Sequence, residues 1–133
     1  MARKTLDVTI DAEGRDKGKV FRITEMPAAQ AEKWAFRAVL ALGSAGVDLP
    51  KELADSGVAG LRHVAISLLL KIPFHAADSL LDELFSCVAA VPNSANPSVV
   101  RQLVPDDTEE IATRLRLRME VINLHAGFLL AAA

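Results

Sequence analysis

Phe74-His-Ala-Ala-Asp-Ser-Leu-Leu-Asp-Glu-Leu-Phe-Ser-Cys-Val-Ala-Ala90 carries the cleanest amphipathic pattern in the chain. At about 100° per residue, Ala77, Leu80, Leu81, Leu84, Cys87 and Val88 fall on one side, with Asp78, Ser79, Asp82, Glu83 and Ser86 opposite. The spacing predicts a single helix over 74–90. Pro73 sets it off from a preceding helix over about Val58 to Lys71, whose inward positions are Leu61, Val64, Ala65, Leu68 and Leu69. On this reading the middle of the chain is helical and the fold is mainly α.

Toward the N-terminus the pattern changes period. Leu6, Val8 and Ile10 alternate with Asp7, Thr9 and Asp11, and after a polar stretch with Gly14 and Gly18 the alternation returns at Phe21 and Ile23. Period-two patterning on both sides of a glycine-bearing loop predicts a β-hairpin over 5–24. A hairpin alone is marginal in water, so it must pack on helices or gain a third strand. Helix one is expected from Pro27 to Leu42, with Gly43 at its end. Its broad stripe holds Ala28, Ala31, Trp34, Ala35, Ala38, Val39 and Leu42, extended by Phe36 and Leu40. On the inward stripe Trp34 reads most simply as a core anchor, with a partner-facing hot spot as the alternative. A connector from Gly43 to Gly60 follows, with a short helical turn at Pro50–Ala54 as one option.

Toward the C-terminus, Val91 to Ser98 reads as a loop, and Val99 to Val104 is a β-like run that Pro105 stops. Its alternation is poor, which leaves a third strand near 99–104 open. The last helix, about Thr108 to Leu130, is apolar on two opposite faces. Ile111, Leu115, Met119, Ile122, Ala126 and Leu129 make one stripe; Leu117, Val121, Leu124 and Phe128 make the other. Such a helix is either buried in the middle of its own domain or shared with a partner. Asp106 and Glu109 stand at capping-box spacing before it, and Thr108 is an alternative cap. The expected fold is therefore α+β, mainly α: one domain over 1–133, with a hairpin at 5–24 and about four helices in a helical part over 27–130.

At 133 residues, with 51% hydrophobic and 24% charged residues, the chain can bury a core without metals or disulfides. A net charge of −2 argues against a nucleic-acid binder. Arg114 and Arg118 share a flank while Arg116 points away, so the three arginines form no single patch. One cysteine, Cys87, excludes an internal disulfide and fits a reducing compartment. Its place on an apolar stripe suits a buried, inert thiol. Met1-Ala2-Arg3-Lys4 leads straight into a strand, so no signal peptide is expected, and no apolar run approaches the roughly 20 residues of a membrane span. Chemical signatures are thin. Ser44 in Leu42-Gly43-Ser44-Ala45-Gly46 lacks the glycine two residues earlier that a nucleophile elbow needs. His63, His75 and His125 lie on separate segments, and His75 with Asp78 supplies too few ligands for a metal site. No catalytic, cofactor or metal site is expected.

One ordered set of segments remains: Asp7-Val-Thr-Ile-Asp-Ala-Glu-Gly-Arg-Asp-Lys-Gly-Lys19, Ile23-Thr-Glu-Met-Pro-Ala28, Ala31-Glu-Lys-Trp-Ala35, Thr113-Arg-Leu-Arg-Leu-Arg118 and Leu124-His-Ala-Gly-Phe128. Together they resemble the tail assembly chaperones encoded in the tail gene clusters of long-tailed bacteriophages and prophages. The resemblance implies a non-enzymatic protein of the host bacterial cytoplasm. Such a protein binds the long helical tape measure protein, keeps it soluble during tail assembly and uses no cofactor. It also implies a longer form made by translational frameshifting, which engages the tail tube protein. The candidate interaction surface is Leu117, Val121, Leu124 and Phe128 with Trp34, serving a client helix or self-association. A structural virion protein, such as a tail-completion or head–tail connector subunit, is the alternative expectation.

Overall fold

The computed structural model describes residues 3–44 and 71–132. The expected hairpin is present: β1 (Thr5–Thr9) pairs antiparallel with β2 (Val20–Thr24), with Leu6 opposite Ile23 and Val8 opposite Phe21. In the loop between them Gly18 takes a positive φ of 88°, a conformation that costs a residue without Cβ little. Helix α1 (Ala28–Ser44) follows, running on past Gly43.

The stretch that suggested one long helix divides in two. Helix α2 covers only Phe74–Leu84. A 3₁₀ turn at Phe85–Cys87 then leads into strand β3, Val88–Val91. The Ser86 hydroxyl donates to the Glu83 carbonyl at 2.7 Å, and by Val88 the backbone is extended. The helical periodicity continued past Leu84 by coincidence. Cys87 and Val88 sit at the inward positions of a continuing helix, yet they are equally buried at the entry to a strand. The hairpin's need for another neighbour decides the matter. β3 pairs with β2, setting Ile23 opposite Val88 and Phe21 opposite Ala90.

The open third strand near 99–104 is realised as a fourth: β4 (Arg101–Gln102) pairs antiparallel with β3. The sheet is four-stranded in the order β1-β2-β3-β4. After a 3₁₀ turn at Pro105–Asp107, helix α3 runs from Ile111 to Ala132. The fold is therefore mixed α/β, with a four-stranded antiparallel sheet and three helices among the described residues, which corrects the mainly helical, four-helix expectation. The helix expected over Val58 to Lys71 and the connector before it fall outside the described residues, apart from Lys71 and Gly43–Ser44.

One face of the sheet carries the core. Val8, Phe21, Ile23 and Val88 pack against Ala77, Leu80 and Leu84 of α2 and Leu117, Val121 and Ile122 of α3. Burying each large side chain contributes about 1.5–3 kcal/mol. The other face is polar along β1 and β2. There Arg22 donates to Asp7 at 2.7 and 2.9 Å across directly opposed positions. The bonds from Arg22 hold the Asp7 carboxyl below its ordinary value.

Candidate functional site

The last helix decides where a working surface can lie. Leu117 and Val121 are 0% exposed, and Leu124 is half-buried against the same core. The side chain of Phe128 is outside the described set. Trp34 is half-buried, and its indole N–H donates to the Leu80 carbonyl at 2.9 Å, stitching α1 to α2. Leu117 and Val121 thus leave the candidate interaction surface. The physical reason is the additional strand: a wider sheet, roofed by helices, needs an apolar helix face to fill it.

The opposite stripe of the same helix is divided. Ile122 is buried, whereas Ile111 is 79% exposed and Leu115 is exposed as well. The C-terminal half is held from another side too. His125 Nε2 accepts the Met26 N–H at 2.8 Å, while Nδ1, 2.8 Å from the Val121 carbonyl, donates to it. This pairing selects the Nδ1–H tautomer.

The exposed apolar side chains lie instead on the outward side of the helices. On α1, Ala31, Trp34, Ala38 and Ala41 turn toward the core, and Phe36 and Leu40 turn away at 61% and 67% exposure. They are one turn apart and share a face. The amphipathic stripe read from sequence had drawn both inward. Arg37, between them in sequence, pairs with Glu83 of α2 at one margin of this face. Gln30 donates to the same carboxylate at 3.3 Å.

The polar run Gly14-Arg15-Asp16 has a structural task. Asp16 is 1% exposed, and its carboxylate accepts the backbone N–H of Glu109 at 3.0 Å to each oxygen and that of Glu110 at 2.9 Å. Lys19 Nζ donates to it at 2.9 Å. Burial pushes this carboxyl upward, but the bonds from Lys19, Thr113 and the two backbone amides outweigh burial and hold it well below the ordinary carboxylate range. Asp16 therefore caps the entry to α3 from the hairpin loop. Arg15 adds bonds of 2.7 Å to the Glu109 carbonyl and to the Glu110 carboxylate. The expected local caps do not bond there. Asp107 instead accepts the Val104 N–H at 2.8 Å and a two-pronged contact from Arg101 at 2.6 and 2.7 Å, closing the preceding turn onto β4.

Cys87 is buried, and burial raises its thiol above the ordinary value. Arg116 pairs with Asp11 at 3.1 Å, away from Arg114 and Arg118, whose guanidinium carbons lie 4.2 and 4.6 Å from the centre of the Phe85 ring. No cluster of three potential metal ligands occurs among the described residues. A concavity of about 450 Å³ beside β2 and β3 is edged by Lys17, Lys19 and Arg101, but each of these cations already meets a carboxylate. None of the described helices is long and apolar enough to cross a membrane. No protein-family model, curated protein or solved structure matches the chain.

Proposed function

We propose that the protein is a non-enzymatic tail assembly chaperone of a long-tailed phage or prophage, acting in the bacterial host on the helical tape measure protein. The reading rests on the ordered segments between Asp7 and Phe128 that resemble that family. The observation that carries it is the outward face of α1, where Phe36 and Leu40 stand largely in solvent one turn apart. A client helix laid along α1 would cover both. Each covered side chain supplies about 1.5–3 kcal/mol before the cost of association. Exposed apolar groups on a helix accept many sequences, as a chaperone of a long apolar helical client requires. The longer frameshifted form that engages the tail tube protein belongs to the same proposal.

The test is co-expression with a tape measure protein and measurement of its soluble fraction. Wild-type protein should raise that fraction severalfold. The double substitution Phe36→Asp with Leu40→Asp should abolish the gain while the melting temperature changes by no more than a few degrees, because neither side chain is in the core. A client that stays equally soluble with the double variant would overturn the assignment of this face. A client that aggregates equally with wild type would overturn the function itself.

A further inference from the structure

The seam between α2 and α3 carries charges of both signs that no ion pair joins among the described residues. Arg114 and Arg118 both lie over Phe85, and their side-chain hydrogen bonds go to neutral acceptors. Arg114 Nη1 donates to Thr108 Oγ1 at 2.9 Å and Arg118 Nε to the Leu81 carbonyl at 3.3 Å. Neither guanidinium has a carboxylate within ion-pairing distance among the described residues. Asp78 and Asp82 stand exposed on the neighbouring helix, also without an ion pair among those residues. Burial and the adjacent Arg114 charge pull Arg118 below its ordinary value, and the fields of Asp82 and Asp78 only partly offset this. Both signs therefore sit on adjacent packed helices, with no ion pair between them among the described residues. Apolar side chains accompany each strip: Phe74 at 78% exposure on α2, and Ile111 and Leu115 on α3.

An interface between identical chains about a two-fold axis must be complementary to itself, so each signed strip needs its opposite on the same patch. This patch meets that condition. We propose that the α2–α3 face binds a second copy of this chain, with Asp78 and Asp82 of one protomer against Arg114 and Arg118 of the other and with Phe74, Ile111 and Leu115 covered between them. Opposed strips fix register and exclude like-on-like docking, while the apolar side chains supply the burial. The inference is independent of the chaperone reading, which places the client on α1.

Sedimentation equilibrium of the full chain tests it. Wild type should give the mass of a dimer. Leu115→Glu should weaken association about tenfold or more, as should the acid-to-base pair Asp78→Arg with Asp82→Arg; these positions are exposed and folding is retained. The base-to-acid pair Arg114→Glu with Arg118→Glu should likewise dissociate, and an equimolar mixture of the two charge-reversed chains should form a heterodimer. Thermal melts identify any variant that has lost its fold. A monomeric wild type would overturn the proposal, and so would a dimer indifferent to Leu115→Glu and to both reversals. A monomer that loses client solubilisation on Leu115→Glu would overturn it too, assigning the face to the client helix.

Discussion

Replacing Asp16 by Asn preserves the shape of the side chain and removes its charge. In the native structure the carboxylate takes two backbone N–H groups at the entry to α3 and the Lys19 ammonium, all at about 3 Å or less. A hydrogen bond to a charged group contributes about 1.5–3 kcal/mol against about 1 for a neutral one, so three such bonds lose roughly 1 kcal/mol each. The amide nitrogen must also face a donor. The expected cost is about 3 kcal/mol, which for a chain of this size lowers the melting temperature by about 10 °C.

The pH dependence gives the same argument a second arm. The folded Asp16 carboxyl lies well below its unfolded value. Below the unfolded value the unfolded chain binds the proton and the folded chain does not, so stability is lost as pH falls. The stabilisation is therefore complete above about pH 5 and declines from about pH 4 downward. Thermal melts of wild type and Asp16→Asn at steps from about pH 7 to about pH 2.5 should show a constant gap that narrows at the acid end. A gap below about 1 kcal/mol at neutral pH, or one that does not narrow in acid, would refute the capping argument.

Two further predictions concern the same packing. Leu117→Ala should cost about 2.7–5 kcal/mol in urea unfolding, because the side chain is wholly buried; a change under about 0.5 kcal/mol would return Leu117 to the surface. Gly14→Ala should destabilise by about 1–3 kcal/mol, since Gly14 has φ +144° and an added Cβ would stand 2.5 Å from a Glu110 carboxylate oxygen that Arg15 holds in place. A melting temperature equal to wild type would show that the loop relaxes freely.

Much of the local structure was legible in the residues themselves. The alternation of Val8 and Ile10 with polar neighbours, and of Phe21 and Ile23 with theirs, marks both strands and their buried sides. Pro27 marks the entry to α1, and the continuous spacing after Thr108 marks α3. The separation of Arg116 from Arg114 and Arg118 followed from helical angle alone. These are properties of neighbours a few residues apart, and backbone geometry converts them directly into faces.

Tertiary structure decided the rest. Cys87 and Val88 suit the inward side of a helix and the buried entry to a strand alike; the unpaired edge of β2, some seventy residues earlier, selected the strand. Asp16 carries no local sign of a cap, because the amides it serves lie 93 and 94 residues away. Phe36 and Leu40 look like core from composition, and Leu117 and Val121 look equally fit for core or surface. Which is which depends on what lies opposite each face. An apolar stripe states only that burial is favourable; the partner that provides it is chosen by the whole chain folding at once.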